Sequence, residues 1–389
     1  MNDELVPVLP ELADREPGRG PHLSERPLRI AQVAPPMEAV PPSGYGGTER
    51  IVAELIDELT RRGHEVTLFA SGDSTPNCEL VPTVPVALRP LGFSGDPTGY
   101  LAATIAQVRR RQADFDVIHA HLEWANPWLM RVTTTASVAT FHGRLDHPWA
   151  TDALLDPPPG LVAISRSHAA THPEVPWAGI VYNGLSLEGA PFERRRTDAL
   201  SFVGRIAPEK GVVDAIEIAR LSGRPLRIVA KLGPTPVEQE YAEKVFKPAL
   251  QRADVEFLGE LSGAERDKVL ASSYAMLMPG TWPEPFGLVA IEAMACGTPV
   301  VARRTGALPE IVRDGIDGFL GDDPANLAFL LDRVDELDRE QIRRDVLERF
   351  SAGRMVDGYL EVYRLRLSGE GDPSGTNELL RLPNAVHGA

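Results

Sequence analysis

The chain has 389 residues, 40 of them basic and 55 acidic, for a formal charge of -15 at pH 7. That length exceeds what one hydrophobic core usually organises, so two domains with a cleft between them are expected, and the acidic balance speaks against a sequence-independent grip on nucleic acid or an anionic bilayer. The two cysteines, Cys78 and Cys296, stand far apart in unlike surroundings, which argues against a disulfide framework or a thiolate metal site.

Residues 1–27 are acidic and Pro-rich and lack a basic start followed by an apolar run, so they do not read as a secretory signal and a cytoplasmic location is expected. This stretch and residues 369–389 carry no periodicity and are expected to be disordered tails. No uncharged apolar stretch reaches the ~18 to 20 residues that span a bilayer, so no transmembrane segment is expected. Peripheral membrane contact and oligomeric state stay open.

From Leu28 the chain reads as a strand (LRIAQVA), a Pro/Gly loop, an amphipathic helix (TERIVAELIDELTRRG) and a strand (HEVTLFA), a βαβ unit in which Thr48 is the expected helix cap. Apolar runs at DVIHAHL, SVATFH, GLVAIS and AGIVYN continue a doubly wound parallel sheet. After the basic stretch FERRRTDA the pattern restarts with ALSFVGRI, PLRIVAKL, VEFLGEL, YAMLMPG and TPVVARR as strands, with helical segments between them. The fold class is therefore α/β with two Rossmann-like domains, at 28–190 and 191–350, followed by a C-terminal helix at 351–368. Ligands of such sheets sit beyond the carboxyl ends of the strands.

Three motifs fall at those ends. In PPSGYGGTER, Gly46 and Gly47 join a strand to a helix, where backbone N–H groups can approach a phosphate, though a plain tight turn explains them too. The spacing is neither G-x-G-x-x-G nor a P-loop, which argues against dinucleotide and ATP-motor sites. In FVGRIAPEKG, Arg205 ends a strand and Lys210 follows near the next helix start, so two cations can converge on a diphosphate. In EPFGLVAIEAMACGTPVV, Glu284 precedes a helix and Glu292 lies inside it among apolar neighbours, where a carboxylate needs a partner. Phe286, Gly287 and Leu288 would present free N–H groups at that helix N-terminus, and the two carboxylates can accept hydrogen bonds from two different polyols.

His142, at the end of the ATFHGR strand, can hydrogen-bond a substrate hydroxyl or phosphate. His119 and His121 share a strand face, but their spacing lacks the helix-borne pattern of a zinc site, and no metal is expected. Asp114 and Asp116 precede a strand rather than follow it and are expected to face away from the cleft. Residues 72–100 and 122–158, with Trp124, Trp128 and Trp149, carry no motif that would name an acceptor.

Read in order, YGGTER, DVIHAH, TFHG, AISRS, VYNG, GRIAPEKG, the E-x7-E pair, TGALPEIV, DGIDGFL and the closing FSAGRMVDGYLEVYRLRL resemble the retaining glycosyltransferases of family 4, from about Leu28 to Leu367. The resemblance implies a GT-B fold, two facing Rossmann-like domains with a deep interdomain cleft, the first for the acceptor and the second for the donor. It implies a nucleoside-diphosphate sugar donor, UDP- or GDP-linked, a hydroxyl acceptor, and transfer with retention and without metal or other cofactor, the donor phosphate assisting deprotonation of the acceptor. By the same resemblance Arg205 and Lys210 bind the diphosphate, Glu284 the sugar hydroxyls and Glu292 the ribose. The amides of Phe286, Gly287 and Leu288 meet sugar and phosphate, Gly46 and Gly47 close from the other domain, and His142 lies beside the donor sugar. The alternatives are an epimerase of the same fold and a non-catalytic nucleotide-sugar-binding module.

Overall fold

The computed structural model describes residues 26–44, 46–93, 95–233 and 235–369. The expected disordered tails fall almost wholly outside these residues. Among them, two sheets stand out, both parallel throughout. The first comprises β1 (Arg29–Val33), β2 (Glu65–Ser71), β3 (Glu79–Val84), β4 (Val117–Ala120), β5 (Ala136–Thr140), β6 (Leu161–Ala163) and β7 (Gly179–Ile180), in the order β3-β2-β1-β4-β5-β6-β7. The second comprises β8 (Leu200–Ile206), β9 (Leu226–Leu232), β10 (Val255–Gly259), β11 (Met276–Met278), β12 (Val300–Arg303) and β13 (Gly318–Gly321), in the order β10-β9-β8-β11-β12-β13. Strand order reverses between β1 and β4 and between β8 and β11, the switch points at which such sheets open a crevice.

The longer helices are α1 (Gly47–Arg61), α2 (Thr98–Arg111), α3 (Val212–Ser222), α4 (Gly263–Ser272), α5 (Leu288–Ala295), α6 (Arg339–Arg349) and α7 (Ala352–Ser368). In α1 the side chains of Ile51, Val52, Leu55, Ile56 and Leu59 form one buried stripe against the first sheet, the spacing a helix needs to bury one face. Thr48 does not cap it: the helix already starts at Gly47, with Gly46 as the flanking residue, so the threonine sits within the first turn. β3 and α2 occupy a region that carries no motif, and β13 occupies the DGIDGFL segment read only as part of the family pattern. In β3 the alternation is blurred, with Pro82 inside the strand and only its last two residues buried, as an edge strand tolerates.

The chain crosses back after the second sheet. Ser351 caps α7 by accepting from the Arg354 amide, and the helix lies against α1 and β5 with Met355, Val356, Tyr359, Leu360, Val362 and Tyr363 buried. A further clasp joins the halves through Glu310, whose carboxylate accepts from the amides of Arg166 and Ser167 at 2.8 and 2.7 Å and from the Tyr182 hydroxyl at 2.6 Å. A carboxylate there satisfies two orphan amides at the start of the short helix Arg166–Ala170.

Candidate active site

The carboxyl ends of β1, β4, β5, β8 and β11 open onto one cavity of about 520 Å³ between the sheets. Gly46, Gly47, His142, Arg205, Lys210, Glu284, Phe286, Gly287, Leu288 and Glu292 all line it. Residues from both halves of the chain therefore meet around a single space.

The wall from the second half is built of opposed charges. Glu284 lies in the loop between β11 and α5; its carboxylate accepts from the Lys210 ammonium at 2.7 Å and from the Trp282 indole N–H at 2.8 Å. The same ammonium stands 4.2 Å from the Trp282 ring centroid, within cation–π range. The loop can turn here because Gly306, at φ 56°, packs its α-carbon against it: a Cβ would come within 2.4 Å of the Glu284 nitrogen. Gly287, at φ 102°, then ends the turn and starts α5. Arg205 pairs with Glu238 and, at 3.2 Å, with Glu209, while its Nε is buried without a partner among the described residues. Glu292 is 4% exposed and is held by Arg50 from α1 and by Arg266 from α4 at 2.8 Å. Those guanidinium groups are the partners its apolar neighbourhood demands.

The wall from the first half is different in kind. Gly47, at the start of α1, faces the start of α5 so closely that a Cβ on it would lie 3.7 Å from Leu288 Cδ1. Glu123, after β4, has its carboxylate clamped by the amides of His142 at 3.1 Å and Gly143 at 3.2 Å, and holds a backbone φ of 51°. Burial pushes its carboxyl up to about 7, and burial likewise pushes Glu49, in the first turn of α1 and 5% exposed, up to about 7. Burial drives the other way on His142, down to about 3. Asn183, buried beyond β7, leaves its Oδ1 without a partner among the described residues as it lines the cavity.

Glu49, Arg50, Glu123, Asn183, Arg266 and Trp282 belong to the cavity without standing out in the sequence. Glu49 and Arg50 lay in the quoted run YGGTER and Asn183 in VYNG, without being singled out there; Glu123 lay in a segment with no motif. The ring nitrogens of His119 and His121 are engaged by Thr140, Tyr363, Gln32 and His142. Asp116 binds the backbone and guanidinium of Arg29 at the opposite end of β1, and Asp114 pairs with Arg111, both away from the cavity. Trp124 packs edge-on against Trp149 with centroids 4.5 Å apart, Trp149 stacks on His147, and Trp128 is exposed; none lines the cavity. Among the described residues no helix is long and apolar enough to cross a membrane.

Comparison with known proteins agrees with this architecture. A family model described as glycosyl transferases group 1 matches residues 192–352, and one described as glycosyltransferase family 4 matches residues 45–188. D-inositol 3-phosphate glycosyltransferase of Frankia alni is 31% identical over 77% of this chain and 88% of its own length. That of Acidothermus cellulolyticus is 29% identical over 87% of this chain and 90% of its own. Among solved structures, AviGT4, a glycosyltransferase involved in avilamycin A biosynthesis, is 27% identical and covers 88% of this chain and 99% of its own, with a TM-score of 0.64. The Anabaena protein HepE in complex with UDP-glucose, 18% identical over 86% of this chain and 98% of its own with a TM-score of 0.66, shares the fold.

Proposed function

Because the chain belongs to the group 1, family 4 glycosyltransferases of the GT-B fold, we propose that it moves a sugar from a nucleoside-diphosphate donor, UDP- or GDP-linked, to a hydroxyl acceptor with retention of anomeric configuration. The observation that carries this reading is the meeting of Arg205, Lys210, Glu284 and Glu292 around one cavity. The first domain, 28–190, takes the acceptor in this scheme and the second, 191–350, the donor.

The Lys210 ammonium rests on Glu284 and the Arg205 guanidinium on Glu238 and Glu209. A diphosphate entering the cavity offers both cations a denser negative charge, and Glu284 is thereby released to accept from sugar hydroxyls. Glu292 takes the ribose hydroxyls beside Arg50 and Arg266, while the amides at the start of α5 meet sugar and phosphate. Gly46 and Gly47 come down on the phosphates from the first domain, and His142 touches the sugar.

As the bond between the anomeric carbon and the diphosphate oxygen breaks, charge grows on the leaving group and the two cations bind it more strongly, which is where they accelerate the step. The acceptor oxygen bonds to the anomeric carbon on the face the diphosphate leaves, and the acceptor proton passes to a leaving phosphate oxygen. No protein nucleophile, metal ion or other cofactor enters this scheme.

The test is incubation with a panel of UDP-, GDP- and TDP-sugars, with and without a chelator, followed by chromatography of the nucleotides. Slow release of one nucleoside diphosphate, undiminished by chelator and accelerated by a hydroxyl acceptor, is expected. Interconversion of donor sugars without release, or no turnover of any donor, would overturn the reading.

A further inference from the structure

Behind His142 runs a continuous buried hydrogen-bonded chain. His142 Nε2 meets His121 Nδ1 at 2.9 Å, and His121 Nε2 meets the Gln32 side-chain amide at 2.8 Å. In the structure Gln32 Oε1 faces His121 and Gln32 Nε2 donates to the Tyr363 hydroxyl at 3.2 Å, and Tyr363 meets His119 Nδ1 at 2.8 Å. His119 Nε2 then meets the Thr140 hydroxyl at 2.8 Å, and Thr140 meets the Tyr359 hydroxyl at 3.0 Å. Burial holds all three imidazoles below the usual histidine range, so each carries one ring proton near neutral pH.

The number of protons decides which way the chain runs. The two ends of the Gln32 amide are alike in shape, and hydrogen-bond counting chooses between them. With Nε2 donating to Tyr363, the four groups Tyr363, His119, Thr140 and Tyr359 have four protons for the three bonds among them, and one buried hydroxyl proton is left without an acceptor among the described residues. With the amide turned over, Tyr363 donates to Gln32 Oε1, the same four protons serve four bonds, and none is left over. A buried donor without an acceptor costs about 1 to 3 kcal/mol, so the second arrangement wins. Gln32 Nε2 then donates to His121 Nε2, and His121 Nδ1–H donates to His142 Nε2.

We propose that Tyr359, Thr140, His119, Tyr363 and Gln32 act through His121 as positioning residues that fix the His142 proton on Nδ1, the nitrogen left for the cavity, and thus make this side chain a hydrogen-bond donor to a sugar oxygen. The sugar as ligand rests on the function proposed above; the position of the proton does not. Helix α7, the last of the described elements, thereby contributes to the chemistry through two tyrosines that never reach the cavity.

The test is two-bond proton–nitrogen correlation NMR on protein labelled with ¹⁵N-histidine, His142 being assigned by the signals lost in His142→Asn. Protonation at Nδ1 with a free Nε2 is expected, and protonation at Nε2 would overturn the inference without substrate or activity entering. Tyr363→Phe removes the hydroxyl that orients the Gln32 amide and should leave His142 divided between the two tautomers; an unchanged Nδ1-only signal would count against the positioning role. In the enzyme assay the same variant should lower kcat about 3- to 10-fold, the worth of one neutral hydrogen bond, with donor KM within about twofold. His142→Asn, whose amide nitrogen takes the place of Nδ1, should keep more turnover than His142→Gln, which mimics Nε2; the reverse order would overturn the proposal. Failure to transfer from any donor would instead remove the function reading and leave the tautomer result standing.

Discussion

The two walls of the cavity treat ionisable groups in opposite ways. On the wall from the second half, Lys210, Arg205 and Glu292 each sit against an opposite charge, and each pair can be exchanged for a ligand. On the wall from the first half, Glu49 and Glu123 form no ion pair among the described residues and are governed chiefly by burial, as is His142. One wall is thus poised to trade charge with a charged ligand, and on the other burial favours the neutral forms of Glu49, Glu123 and His142. The difference suits the proposed reaction, in which charge builds on the diphosphate and not on the acceptor.

The largest effect that would break this contrast is on the charged wall. Lys210→Ala and Glu284→Ala should each lower turnover by at least ~10²-fold, the size of losing one preorganised charge contact, with circular dichroism unchanged. Near-normal rates in both would mean that the pairs are structural.

A smaller effect sharpens the same point without touching a charge. Gly306→Ala forces a Cβ to within 2.4 Å of the Glu284 backbone nitrogen at a φ that L-residues disfavour. The loop must shift, and turnover should fall about 10-fold with the Lys210 and Glu284 side chains both intact, because a misplaced reacting group costs rate steeply. Unchanged turnover with an unchanged melting temperature would show that the loop position is immaterial.

The smallest effect lies on the neutral wall and appears as stability against pH. Burial raises Glu49 in the folded state to about 7 from its ordinary 4.5, so between those limits the folded protein holds a proton that the unfolded chain has lost. Stability therefore falls as pH rises through that window and levels off above it. Glu49→Gln, which cannot ionise, should gain about 1 to 3 kcal/mol over the parent at pH 8 and lose that gain below about pH 4.5, as read from denaturant midpoints. A gain of the same size at both pH values would point to packing instead of ionisation.

The alternation of apolar runs with amphipathic helices made two Rossmann-like units legible from Leu28 onward. Arg205 with Lys210, and Glu284 with Glu292, were legible for a related reason: each pair stands on one strand end or helix start, where neighbours in sequence are neighbours in space. Other features had no such local pattern. The grip of Arg50 on Glu292 joins residues 242 apart, and the contact of Tyr363 with Gln32 joins residues 331 apart. The raised carboxyl of Glu123 depends on what closes over it, not on its neighbours in LEWAN. The sequence by itself thus determined the architecture and which four charged residues stand on the second half's wall, though not their partners, since periodicity and strand-end placement are local properties. Only the tertiary structure decided the neutral wall and the tyrosine-to-histidine chain behind it, because desolvation and long-range pairing exist only after distant elements have packed.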